Sequence, residues 1–169
     1  MIKRDKTISL SFLLPELMYD IENNAYVQGN NLDSEGENAR HQLMDIGQDG
    51  NNDRVTRTLN LAFHECVTML YPYTKVEVED GKAMDDTFLR DDSFDMTLRV
   101  PSDFSDSTMT LLRDLIHEYM VLRALEDWTG ITYPDGMAPW SLKLEAIKEK
   151  IQSCKNHRIK RVRRTQSPF

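Results

Sequence analysis

The sequence predicts a mainly α protein: a helical bundle of three longer and two shorter helices, with a small antiparallel β-sheet or hairpin arm and an extended basic C-terminal tail. Three observations predict it. Apolar residues recur at helical spacing over 51–71, 106–129 and 138–154. Apolar–polar alternation, the mark of a half-buried strand, occurs at 7–13, 75–79 and 94–100. The charge is also divided. The chain holds 21 Lys+Arg against 28 Asp+Glu, a net of −7, and removing the +6 of residues 155–169 leaves −13 on residues 1–154. At 169 residues the chain is long enough for one domain with a real core, here 1–154, followed by a basic arm, 155–169.

The elements follow in order. Ile8, Leu10 and Phe12 alternate with Thr7, Ser9 and Ser11, a strand. Lys3-Arg4-Asp5-Lys6 before it imitates a signal peptide, but the alternating serines and Pro15-Glu16 break the apolar run, and no small-residue cleavage site follows. Pro15 opens a helix with Leu14, Leu17, Met18, Ile21 and Ala25 on one side, ended by Gly29-Asn30-Asn31. A short helix over about 35–46, capped by Asp33 or Ser34, stops at Gly47. After the turn Asp49-Gly50-Asn51-Asn52-Asp53, a core helix carries Val55, Leu59, Ala62, Phe63, Cys66 and Leu70, and Pro72 stops it. The alternating pair 75–79 and 94–100 reads as a β-hairpin arm over about 74–100, with an Asp-rich tip too long for a plain turn. Ser105 or Asp106 caps a second core helix bearing Met109, Leu112, Leu115, Ile116, Tyr119, Leu122 and Leu125, with Gly130 as its stop. Pro139 starts the last helix, apolar through Trp140, Leu144, Ile147, Ile151 and Cys154.

Candidate chemistry is sparse. His64-Glu65 and His117-Glu118 are the only pairs with catalytic character. A zinc-protease helix needs a second His four residues on, where this chain has Thr68 and Val121. A di-iron bundle needs Glu-x-x-His on two helices; Asp114-x-x-His117 is a half-match, and Leu61 stands three before His64. Polar pairs flanking a core stripe are the simpler account. No Gly-x-Ser-x-Gly and no Gly-rich phosphate loop is present, and Asp85, Asp86, Asp91 and Asp92 lack the ligand order of an EF-hand. Cys66 and Cys154 fall on apolar helix faces, as reduced core thiols do. No cofactor and no metal is expected, and no run approaches the ~20 apolar residues of a membrane helix.

The tail is the exception. Lys155, Arg158, Lys160, Arg161, Arg163 and Arg164 have no acidic neighbour in 155–169, and Phe169 offers an apolar anchor. A solvated end is the common fate of such a segment. Its alternative is an anionic surface, either nucleic acid, bound without sequence preference and with strong salt dependence, or the acidic flank of another subunit.

Three stretches carry a likeness. They are Asp53-Arg54-Val55-Thr56-Arg57-Thr58-Leu59-Asn60-Leu61-Ala62 running to Tyr71-Pro72-Tyr73-Thr74, Leu111-Leu112-Arg113-Asp114-Leu115-Ile116-His117-Glu118-Tyr119 through Trp128, and Arg161-Val162-Arg163-Arg164-Thr165-Gln166-Ser167-Pro168-Phe169. With the opening strand and Leu14-Pro15-Glu16-Leu17, the chain resembles the head–tail connector, or head-completion, adaptors of tailed phages and prophages of gut bacteria. The resemblance implies a non-enzymatic virion protein of the neck, assembled in the host cytoplasm as a ring of about a dozen copies beneath the portal. It implies contacts with portal and tail proteins, an acidic channel through which DNA slides, and no membrane. Val76, Val78, Phe94, Met96 and Leu98 would form the assembly hairpin; Lys155, Arg158, Lys160, Arg161, Arg163, Arg164 and Phe169 would reach a partner. The Asp-rich tip matches no feature of that family. Two other classes compete: a small cytosolic helical enzyme or metal protein using His64, Glu65, Asp114, His117 and Glu118, and a DNA-associated regulator acting through the tail.

Overall fold

The computed structural model describes residues 5–32, 37–76, 80–81, 84–88 and 90–159. Among the described residues nine elements follow one another: β1 (Lys6–Leu13), α1 (Leu14–Asn30), α2 (Glu37–Met44), a 3-10 turn (Asp45–Gly47), α3 (Asp49–Met69), β2 (Ser93–Val100), α4 (Asp106–Thr132), a second 3-10 turn (Pro134–Gly136) and α5 (Ala138–Lys155). The architecture is mainly helical with a small antiparallel sheet, as the periodicities require.

Helix α4 is the axis. Its run Tyr119-Met120-Val121-Leu122 and Ala124-Leu125 is buried on nearly every side, because α1, α3 and α5 all pack against it. A helix apolar around most of its girth belongs at the centre. Ser105 caps it, its hydroxyl accepting from the Thr108 N–H at 3.4 Å. Gly130 does not stop it. The helix passes through to Thr132, and a Cβ on Gly130 would come within 2.9 Å of Met137 Sδ, so this glycine permits a close approach. Helix α3 likewise begins at Asp49, taking the Gly-Asn-Asn turn into its first turn, where Asn51 Nδ2 donates to the Asp45 carbonyl at 2.8 Å.

The sheet departs from the hairpin expectation. β1 pairs antiparallel with β2, from Lys6 opposite Val100 to Leu13 opposite Ser93. Ile8, Leu10 and Phe12 share an inner face with Phe94, Met96, Leu98 and Val100, and Phe94 meets Phe63 of α3 at 5.6 Å between ring centres. The physical reason is apolar supply. Residues 75–79 hold only two apolar side chains, whereas β1 brings three in matching parity. Lys75 and Val76 belong to no strand, Val76 is 81% exposed, and residues 77–79, with Val78, lie outside the described residues.

β1 runs into α1 without a loop. Leu13 makes no side-chain cap, Pro15 sits at the first turn, and the Leu14 N–H extends the sheet ladder to the Asp92 carbonyl at 2.9 Å. Trp128 ties α2 down, its Nε1 donating to the Leu43 carbonyl at 3.2 Å. Trp140 ties α5 to α1 through Gln28 Oε1 at 3.0 Å.

Candidate interaction surfaces

The basic segment starts from a fixed root. α5 ends at Lys155, whose carbonyl accepts from the Tyr73 hydroxyl and from Arg158 Nη1, each at 3.2 Å. The Arg158 guanidinium lies over the rings of Phe104 and Tyr73, 5.4 and 5.7 Å from their centres, and also donates to the Tyr73 hydroxyl. Its Nε is 3.9 Å from Asp103 Oδ1. The Ile159 N–H donates to the Asp103 carbonyl at 2.8 Å, and Phe104 and Arg158 form an isolated antiparallel bridge. Arg158 is therefore spent on its own body rather than free for a partner, and the contacts of the body run on through Ile159 rather than ending at 154. Lys160, Arg161, Arg163, Arg164 and Phe169 lie outside the described residues.

Tyr73 and Phe104 were invisible as site residues in the sequence. Each sits in an irregular turn with no period to mark it; the only signal was an aromatic in a Pro-initiated turn on either side of β2. The Tyr73 carbonyl also accepts the outward N–H of Arg99 at 2.9 Å, covering that end of β2.

Phe94, Met96 and Leu98 are not available for assembly: they are core residues beneath the sheet. Two described residues of the Asp-rich stretch are tied to the body. Phe88 lies under the Arg57 guanidinium at 4.4 Å, and Arg90 stands 3.8 Å from Asp53, so these two residues are held against α3. Asp85 accepts from the Thr87 N–H in a local turn, and Asp85, Asp86, Asp91 and Asp92 are exposed.

The two His-Glu pairs point to different places. His64 Nδ1 donates to the Asn60 carbonyl at 2.8 Å on its own helix. His117 Nε2 donates to Asp20 Oδ2 at 2.7 Å, clamping α4 to α1. Glu65 turns inward instead. It accepts from the Tyr119 hydroxyl at 2.6 Å and faces Arg123 Nε at 3.6 Å; Arg123 Nη1 reaches Glu126 at 3.3 Å, and Glu126 accepts from Ser141 at 2.7 Å. This chain of polar contacts joins α3, α4 and α5 at the floor of a cleft of about 620 Å³. Burial and the Glu65 carboxylate beside it push the Tyr119 phenol well above the ordinary tyrosine range. Among the described residues, no group of three or more His, Cys, Asp or Glu is placed to hold a metal ion.

Cys66 and Cys154 are both buried and unpaired, and burial raises each thiol. On the outer face of the sheet, hydrogen bonds from Ser11 and then Ser93 lower the Asp95 carboxyl. Among the described residues, no helix is long and apolar enough to cross a membrane.

Compared with family models, with curated proteins and with solved structures, the chain matches none.

Proposed function

We propose that this chain is a non-enzymatic structural protein of a tailed-phage virion, a head–tail connector whose copies form an oligomeric ring between portal and tail around the DNA channel. One observation carries the reading. In the sequence a strongly basic segment follows directly on an acidic body, at a root that Arg158, Tyr73, Phe104 and Asp103 hold fixed. A fixed root gives the segment that follows a defined starting point, which lowers the ordering cost of engaging a partner. The acidic body favours a protein partner of like kind over adhesion to DNA, which it repels. Neighbouring subunits, the portal and the tail proteins are the partners in this reading, and the neck of the virion is its place.

The test is mass. Native mass spectrometry of the purified full chain, with light scattering across a concentration series, should give a closed ring of about a dozen copies. A chain truncated after Ile159 should melt like the full chain but remain monomeric. A full chain that stays monomeric at every concentration, and in the particle, overturns the proposal. The rival metal-protein reading finds less support, since His64 and His117 bond to different elements and not to each other.

A further inference from the structure

We infer that the exposed face of α1, together with the 44–48 turn, is the seat for residues 160–169 of a second copy of this chain. The inference rests on the assembly reading above and names the surface that assembly would use.

The face is a groove of about 420 Å³ lined by Tyr19, Glu22, Asn23, Tyr26, Met44 and Gln48. Tyr19 and Tyr26 are 68% and 57% exposed, two turns apart on one side of the helix. Half-exposed tyrosines around a shallow cleft are the usual anchors of protein contacts. Glu22 lies between them, its side chain against Gly47, and among the described residues its carboxylate has no ion pair or hydrogen bond. α1 carries Glu16, Asp20 and Glu22 and no lysine or arginine at all, and Asp45 and Asp49 follow at its flank.

The complement is written in the same chain. Lys160, Arg161, Arg163 and Arg164 hold four positive charges and residues 160–169 no negative one. Guanidinium groups stack on tyrosine faces and pair with carboxylates, so an Arg-rich segment fits a groove of tyrosines and glutamate.

Reach decides which copy supplies it. The root is bonded to Asp103, just before α4 begins, whereas Met44 of the groove adjoins Leu43, which is fixed to Trp128 near the other end of α4. From 106 to 128 a helix rises about 33 Å at ~1.5 Å per residue. Ten residues span at most about 33–36 Å fully extended. Within one molecule the segment could meet the Tyr19 end, level with the Asp20–His117 bond about 17 Å along α4, but would arrive at Met44 only at full extension, so it could not settle along the whole groove. A neighbour's segment has no such journey.

The experiment mixes two pools of full chain, one isotopically heavy and one light, the light pool carrying a photo-crosslinking phenylalanine analogue at 169. Heavy–light products at Tyr19–Tyr26 or Met44–Gln48 are expected. Their yield should fall about tenfold in a heavy pool bearing Tyr19→Ser with Tyr26→Ser, or Glu22→Lys, exposed changes that leave the melting temperature in place. Light–light products confined to one molecule, or heavy–light products elsewhere, overturn this seat while the measured oligomer leaves the connector reading standing. A chain that never associates and gives no heavy–light product overturns both.

Discussion

The Tyr119 hydroxyl donates to Glu65 Oε2 at 2.6 Å, and this bond is the hinge pin between α3 and α4. Tyr119 is all but buried, so its polar end must find a partner inside the domain. Tyr119→Phe removes the donor and leaves Glu65 to Arg123 alone, which should cost about 1–2 kcal/mol. For a chain of this size that is a fall of roughly 2–8 °C in melting temperature, read by calorimetry.

The same phenol predicts an alkaline limit. In the fold Tyr119 and Cys66 are both raised above their ordinary values of 10.0 and 9.0, so the unfolded chain loses these protons first. Their contribution is complete below pH 9 and drains away as pH climbs past 9 and then 10. Melting followed from pH 8 to 11 should steepen downward, and Tyr119→Phe should flatten the portion above 10. An unchanged slope in that variant would remove Tyr119 from the account.

Asp95 works in the opposite direction. Bonds from Ser11 and Ser93 hold its carboxyl below the usual 3.8, so the fold favours the ionised form. That stabilisation is present above pH 4 and disappears as pH falls through the depressed value. Asp95→Asn should therefore lose stability at pH 7 and show a shallower acid decline below pH 4, measurable by thermal melts at fixed ionic strength.

Arg158→Ala should release the root. The guanidinium's ring contacts and its bond to Tyr73 are together worth about 1–2 kcal/mol. Hydrogen exchange at the Ile159 amide should accelerate by about an order of magnitude or more, because each ~1.4 kcal/mol of lost local stability is tenfold in opening. Arg158→Lys should not restore protection, since an ammonium lacks the planar face that lies over Phe104.

Trp128→Phe keeps most of the packing but removes the donor to the Leu43 carbonyl. A buried carbonyl left without its partner costs about 1–3 kcal/mol. The loss should fall on α2 and the 45–47 turn, visible as faster exchange there than in α5.

Most of the helical content was legible, because amphipathic stripes and their Pro and Ser starts are local signals. Leu14-Pro15 and Ser105 act as they read. Pairing was not local. Residues 75–79 alternate as well as 7–13, and only the tertiary supply of apolar partners for Phe94 and Met96 selects β1. Gly130 reads as a stop but permits contact with Met137, a spatial fact with no sequence mark. Of the candidate surface, the basic residues were plain, while the Tyr73–Phe104 clamp that roots them depends on two turns meeting in space.

The β1–β2 ladder has a consequence for synthesis. When Lys6–Leu13 leaves the ribosome, the segment that will cover Leu10 and Phe12 has yet to be translated, and α1, α2 and α3 must emerge before Ser93–Val100 arrives. Through that interval the nascent amino-terminal strand exposes an apolar ribbon with open hydrogen-bonding groups, a natural client for a holding chaperone.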